Sequence, residues 1–382
     1  MKNYEERRLK LTENLSGDIA VIIPGSILAT RSNDTAYPFR QDSNFYYLSG
    51  FNEPDSTLMI ISKSGKTNSI GFVPKKDKLK EIWDGFRYGP EGVKSEFGFN
   101  DAFNNDDIDE LLPDLLDGVS CVYYPFGKVE GFDQKVIKWT KKANNKDRHS
   151  KKIEIADISK IIGNKRLIKD SSEINIIEKA CKISANAHLE AMKFVKPGMN
   201  EAEVEAFYLY EFAKNGGRFP AYNPIVASGE NACVLHYAEN NQVINDGDLL
   251  LVDAGCEYEM YASDITRTFP ANGKFSDEQL QVYNIVLEAQ KASINAVNKG
   301  NGVMDPQTIS EKVITEGLID LGIIKGDLEE EHEKGSFKDF YMHKIGHWMG
   351  MDVHDVGDYM HEGEFIKFDE GMITTIEPGI YI

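Results

Sequence analysis

Asp248-Leu-Leu-Leu-Val-Asp253-Ala-Gly-Cys-Glu-Tyr-Glu-Met-Tyr-Ala-Ser-Asp264-Ile-Thr-Arg267-Thr-Phe-Pro270 is the stretch on which the reading of this chain turns. The aliphatic run Leu249 to Val252 predicts a buried strand that ends on a carboxylate. A Thr-rich, strand-like segment carrying a second carboxylate follows. A hairpin folded about Tyr258-Glu259 would set Asp253 opposite Asp264, on one face, with Cβ atoms roughly 4.5–5.5 Å apart. Two carboxylates that close do not both ionise comfortably without a cation between them. A bare charge at the end of an apolar strand is also costly. The pair predicts a metal site.

Working outward, 382 residues exceed one ordinary core, so two domains are expected, at 1–164 and 165–382. A composition of 41% hydrophobic and 27% charged residues is that of a globular protein. The net charge of −19 speaks against a nucleic-acid surface, which needs an excess of Lys and Arg. Cys121, Cys181, Cys233 and Cys256 form no CxxC pair, so neither a disulfide framework nor a zinc knuckle is suggested. The charged start Met1-Lys-Asn-Tyr-Glu-Glu-Arg-Arg has no apolar signal region, and no apolar run reaches membrane-spanning length. The expected compartment is the cytoplasm.

The first domain reads as alternating α/β, with strands at Asp18–Gly25, Ser56–Ser62, Ser69–Val73 and Val119–Tyr124. Lys141–Lys152 is polar and is the linker candidate. In the second domain Asp170-Ser-Ser-Glu173 opens a helix to about Phe194, and a second helix covers about 201–214. Ser276-Asp-Glu-Gln opens another helix to about Asn298, followed by one over about 307–321. Polar strands carrying His343, His347 and His354 come next, then Gly371–Ile382 with Glu377. Each half therefore reads helix, helix, His-bearing segment, strand ending in an acid. The fold expected is a two-domain α+β or α/β protein whose second domain is pseudo-duplicated.

Four candidate metal ligands stand out: Asp253, Asp264, His347 and Glu377. Three carboxylates and one imidazole suit a hard divalent ion such as Mn²⁺, with Co²⁺ or Zn²⁺ as alternatives. His343 and His347 have zincin spacing, but Lys344 stands where that motif needs Glu and Gly346 weakens a helix, so that reading is rejected. Taken alone, His236 in Leu-His-Tyr reads as a hydrogen-bonded core histidine on a strand, and His188 as structural. Asp34, Trp83 and Tyr381 are candidates for substrate contact, each with a structural role as the plainer alternative.

Together the motifs resemble a family. Ser228-Gly-Glu-Asn-Ala-Cys-Val-Leu-His236-Tyr-Ala-Glu-Asn, the Asp253–Asp264 segment, Tyr341-Met-His343-Lys-Ile-Gly-His347-Trp-Met-Gly-Met-Asp-Val-His354-Asp-Val-Gly and Thr375-Ile-Glu377-Pro-Gly-Ile-Tyr look like Xaa-Pro aminopeptidase, aminopeptidase P. The likeness reaches the first domain through Arg40-Gln-Asp-Ser-Asn-Phe-Tyr-Tyr-Leu-Ser-Gly-Phe-Asn-Glu-Pro54 and Glu81-Ile-Trp83. It implies a creatinase-like first domain, a pita-bread second domain, and two divalent ions, usually manganese. It further implies removal of an N-terminal residue that precedes proline, by a hydroxide bridging the metals. Asp253, Asp264, His347 and Glu377 would be ligands, with Glu377 also a general base. His236, His343 and His354 would orient the scissile amide and stabilise developing charge. A homo-oligomer, dimer or tetramer, is implied as well.

The resemblance also implies a fifth ligand, a Glu on a further return strand, with an Arg beside it. Neither has a counterpart up to Ile382, so the expectation is an incomplete chain with a weakened metal site and impaired activity. Two other readings remain. An Xaa-Pro dipeptidase shares the ligands but cleaves dipeptides only. An inactive pita-bread module binds peptides without catalysis and is expected to have lost ligands.

Overall fold

The computed structural model describes residues 4–146 and 152–382. It divides into two compact units, Met1–Lys165 and Arg166–Ile382. The first holds helices α1 (Tyr4–Thr12), α2 (Ser43–Ser49), α3 (Lys78–Asp84), α4 (Gly89–Phe97), α5 (Ile108–Leu115) and α6 (Phe132–Asn144). Its strands are β1 (Ile19–Pro24), the short pair β2 (Thr30–Ser32) and β3 (Thr35–Ala36), and β4 (Thr57–Lys63). They continue with β5 (Lys66–Val73), β6 (Asp101–Asn104), β7 (Cys121–Tyr124) and β8 (Glu154–Asp157). Six of them form one mixed sheet in the order β6-β5-β4-β1-β7-β8. All six residues of β1 are buried, as a central strand covered on both faces requires. The candidate linker Lys141–Lys152 begins inside α6, and its residues 147–151 lie outside the described residues.

After α7 (Ser159–Leu167), the second unit opens with α8 (Ser171–Phe194) and α9 (Glu201–Lys214). Both start on complete capping boxes, Asp170 with Glu173 and Asn200 with Glu203, in which side chains and backbone amides satisfy each other reciprocally. Short strands follow: β9 (Phe219–Pro220), β10 (Ile225–Ser228), β11 (Leu249–Asp253), β12 (Cys256–Tyr258), β13 (Tyr261–Ala262) and β14 (Thr266–Pro270). They make two small sheets, β10-β11-β14 and β13-β12-β9, with antiparallel neighbours throughout. Helices α10 (Asp277–Ala296) and α11 (Asp305–Asp320) begin the second half. Among the described residues no helix is long and apolar enough to cross a membrane.

The core explains where the carboxylates go. Ala180, Ile183, Ala187 and Ala191 of α8, with Val204, Tyr208 and Phe212 of α9, pack against Val226, Leu250, Val252 and Phe269. Leu250 and Val252 are fully buried, whereas Leu249, Leu251 and Asp253 are only partly covered. So the predicted strand β11 is fully buried on one face only, and the period of two aims Asp253 away from the helices. Burying each of those two aliphatic side chains contributes about 1.5–3 kcal/mol.

The helix face also holds a neutral histidine. His188 Nε2 lies 3.1 Å from the Ala254 carbonyl, and Nδ1 lies 2.9 Å from the Tyr208 hydroxyl. A neutral ring that donates from Nε2 and accepts at Nδ1 satisfies both. Burial pushes its pKa down to about 4. The unfolded chain binds that proton near pH 6.5 while the folded one does not, so the stability His188 contributes is present above pH 6.5 and lost as pH falls towards 4. The loss across that window should be about 3 kcal/mol. Denaturation midpoints measured from pH 7 to 4 should fall more steeply for the native chain than for His188→Gln. Equal slopes would refute the assignment.

The hairpin register differs from expectation by two residues. Tyr258 pairs with Tyr261 and Glu257 with Ala262, and the same register continues to Asp253 opposite Thr266. The turn therefore centres on Glu259-Met260, not Tyr258-Glu259, and both residues have positive φ, 48° and 73°. That is a two-residue turn of the type whose twist matches paired strands, built without the usual Asn or Gly. Because the shift is even, Asp253 and Asp264 stay on one face, as diagonal rather than direct neighbours. Gly255 makes this possible: a Cβ there would lie 1.8 Å from the Ser263 carbonyl oxygen. Gly255→Ala should lower stability by about 1–3 kcal/mol. Thermal melting checks it, and an unchanged midpoint would mean that the strand yields easily.

The second half departs from the expected strands. Among the described residues, the His343–Met349 and Ile373–Glu377 segments share a single bridge, Trp348 with Thr374, although they run antiparallel. Met349 donates to Ile373, Thr375 to His347 and Glu377 to Ile345, at 2.8–3.0 Å. The other amides go to side chains: Ile345 to Gln307 Oε1, His347 to Thr375 Oγ1 and Trp348 to the Tyr359 hydroxyl. Side-chain acceptors replace a regular ladder. The duplication still shows, since Ile225 faces Asp253 in one half as Ile345 faces Glu377 in the other.

Candidate active site

The two halves bring their acids together. Ligand atoms of Asp264, His347 and Glu377 lie within 4.8 Å of one another. His347 Nε2 is 3.2 Å from Asp264 Oδ2 and 3.3 Å from Glu377 Oε1. Its Nδ1 lies 3.0 Å from the Trp348 carbonyl, which can only accept, so Nδ1 carries the proton. In the neutral ring the Nε2 lone pair then points at two carboxylate oxygens. Only a proton or a metal ion makes that arrangement favourable. Without metal, proton binding wins: burial opposes it, but Asp264 and Glu377 raise the His347 pKa to about 10.

Asp253 joins the cluster through Tyr222, whose hydroxyl bonds both Asp253 Oδ1 and, at 3.0 Å, Asp264 Oδ1. One phenol proton cannot serve two carboxylates at once. Burial first, then the charges of Asp264 and Glu377, push the Asp253 pKa up to about 7. Burial and the same two aspartates hold the Tyr222 hydroxyl well above its ordinary value. Three carboxylates and an imidazole with an available ring nitrogen are an oxygen-rich donor set with unbalanced charge, which fits divalent cations. Thr375 braces the cluster: its hydroxyl donates to Glu377 Oε1 at 2.7 Å and accepts the His347 amide at 2.9 Å.

The remaining histidines surround the acids in a cavity of about 1970 Å³. His354 packs on His347 with ring centroids 4.1 Å apart. His343 Nδ1 donates to the Lys344 carbonyl at 2.8 Å, and Nε2 accepts from the Tyr381 hydroxyl at 2.9 Å. Burial pushes the Tyr381 pKa up to about 12. His236 lies exposed in a turn beyond a short 3₁₀ segment, not on a core strand, because its loop leaves β10 at Ser228. Asp34 sits in the exposed turn between β2 and β3, and Trp83 lies on α3 with 88% of its surface exposed. Both belong to the first unit, whereas every residue lining this cavity belongs to the second.

Sequence reading missed Tyr222 and Thr375. Thr375 was within reach, because in extended backbone it shares a face with Glu377 two residues on. Tyr222 carries no such signal, since only the folded hairpin brings it to both aspartates.

Helix pairs backing two antiparallel halves, with acids and an imidazole converging between them, define a metal-dependent hydrolase of the pita-bread class. Residues 175–382 match the model of metallopeptidase family M24, and residues 4–123 that of the aminopeptidase P N-terminal domain. The chain is 40% identical to an Xaa-Pro aminopeptidase of Haemophilus influenzae over 381 residues, covering 100% of this chain and 86% of that protein. It is 38% identical to the Escherichia coli Xaa-Pro aminopeptidase over 384 residues, covering 100% and 87%. Among solved structures it superposes on Pseudomonas aeruginosa aminopeptidase PepP with TM-score 0.97 at 42% identity, covering 100% and 87%. Zn-substituted E. coli aminopeptidase P in complex with product gives 0.96 at 38%, with the same coverage. The chain belongs to metallopeptidase family M24, in its aminopeptidase P branch, and its activity is that of an Xaa-Pro aminopeptidase. The dipeptidase reading is disfavoured.

Proposed function

We propose that Asp253, Asp264, His347 and Glu377 hold two divalent ions, Mn²⁺ by preference over Co²⁺ or Zn²⁺, and that peptides with proline second are hydrolysed against them. The observation that carries this reading is His347 Nε2 held 3.2 Å from Asp264 Oδ2 and 3.3 Å from Glu377 Oε1. The ions would activate water near neutral pH and polarise the scissile carbonyl. Glu377, held by Thr375, accepts the proton of the attacking water. Its return to the proline nitrogen completes cleavage, since an Xaa-Pro bond has no amide proton of its own. His236 and His354, which line the cavity, donate to the developing oxyanion. His343 and Tyr381 act as a bonded pair that shapes the substrate pocket.

The same reading sets the domains at 1–164 and 165–382, a homo-oligomer (dimer or tetramer) as the working form, and the cytoplasm as its place. Asp34 and Trp83 stay as first-unit candidates for substrate contact. An indole this exposed has no core to support. The test is metal content by mass spectrometry after manganese loading, with an Xaa-Pro-Xaa tripeptide and an Xaa-Pro dipeptide as substrates. Bound metal with tripeptide cleavage supports the reading. Cleavage of the dipeptide alone would make it a dipeptidase, and peptide binding without metal or turnover would make it an inactive module.

A further inference from the structure

One buried carboxylate outside the metal cluster has no part in the chemistry above. Glu201, the first residue of α9, is fully buried. Its Oε1 accepts from the Ser228 amide at 2.8 Å, the Ser228 hydroxyl at 2.9 Å and Asn231 Nδ2 at 3.4 Å. Its Oε2 accepts from the Tyr237 hydroxyl at 2.8 Å and the Gln242 amide at 3.0 Å. The Glu201 amide in turn donates to the Gln242 carbonyl. Ser228 closes β10 and the other partners lie in the excursion that follows it towards β11, so together they span the 228–242 stretch from end to end. Inside it, next to Tyr237, stands His236.

We propose that Glu201 is a positioning residue for peptide hydrolysis, gathering the 228–242 loop on one carboxylate so that His236 is presented to the substrate. The proposal rests on the role given to His236 above. Burial alone would raise the pKa of Glu201, but the amides of Gln242 and Ser228 and the hydroxyls of Tyr237 and Ser228 hold it below the usual range. The acceptor is thus ionised throughout the neutral range, as a hub for so many donors requires. The His236 side chain is exposed, so its placement depends on the backbone of its own turn. A shift of about 1 Å in such a group costs about a hundredfold in rate. Glu201→Gln is nearly isosteric, yet turns one acceptor oxygen into a donor aimed at groups that also donate.

The experiment is a double-mutant cycle on the metal-loaded enzyme with an Xaa-Pro-Xaa tripeptide, measuring kcat, KM and bound metal. Glu201→Gln should lower kcat about 10- to 100-fold, with metal content unchanged. In a His236→Ala background the same substitution should cost less than about threefold, because the group it positions is gone. Equal losses in both backgrounds would overturn the proposal while leaving the site reading intact. No loss from His236→Ala alone would instead overturn the role of His236, and the proposal with it. If Glu201→Gln does not fold, Tyr237→Phe replaces it, since it removes one donor and keeps the ring. Its smaller loss in kcat should likewise vanish in the His236→Ala background, and persistence would count against the proposal.

Discussion

Asp264→Asn is expected to abolish tight divalent-metal binding and to reduce tripeptide turnover by well over a hundredfold. Asp264 faces both halves of the site: Oδ2 lies 3.2 Å from His347 Nε2, and Oδ1 takes the Tyr222 hydroxyl at 3.0 Å. An amide keeps the shape but removes the negative charge and places an NH₂ where one oxygen accepted. Losing an outer partner of a metal ligand typically costs 10- to 100-fold in affinity, and losing an anionic ligand itself should exceed that. The folded chain should suffer little, because relief of the repulsion between Asp264 and Asp253 offsets the lost pairing of Asp264 with the His347 ring. Calorimetric titration of metal-free protein with Mn²⁺ and thermal melting in chelator are the two measurements. Unaltered metal affinity would remove Asp264 from the ligand set. A large drop in the chelated melting point would make it a structural residue.

Much of this arrangement was legible beforehand, and what was not has physical causes. The helix starts at Asp170 and Ser276 could be read because a capping box is a local device, complete within four residues. The acids at 253 and 377 were visible because each ends an apolar run. The exact pairing was not, since Glu259 and Met260 adopt positive φ without the Asn or Gly that would have marked the turn. The His-bearing strands failed for another reason. Gln307, Thr375 and Tyr359 are distant in sequence from the amides they satisfy, so nothing local announces that the ladder is interrupted. Glu201 is the same problem in a sharper form. By sequence it is one more acidic residue in a first helical turn, and only the fold returns Ser228, Tyr237 and Gln242 to it.

The second large effect should come from Asp355→Ala, at about 3–5 kcal/mol of lost stability. Asp355 Oδ1 lies 2.5 Å from Arg166 Nη2, and Oδ2 lies 3.0 Å from Lys169 Nζ. The side chains of Asp355 and Lys169 are each 1% exposed and that of Arg166 3%. Burial already pulls the Lys169 pKa down, against the carboxylate that pulls it up. Removing the carboxylate therefore leaves a buried ammonium without its anion. Arg166 keeps Asp352 at 2.8 Å, so Lys169 bears most of the penalty. Lys169→Met should cost less than Asp355→Ala, because the carboxylate it leaves behind still has Arg166. Urea denaturation of the three chains tests the order, and a cost under about 1 kcal/mol for Asp355→Ala would show that the ion cluster anchors nothing. The anchoring reaches the chemistry through the backbone. The Asp355 amide donates to the Trp348 carbonyl at 2.8 Å, closing the loop that carries His354 back beside His347. Gly350 is the residue that admits this closure, since a Cβ there would lie 2.1 Å from Asp355 Oδ2. Asp355→Ala should consequently lower kcat even at temperatures where the variant is fully folded, as the His354 ring loses its fixed place over His347.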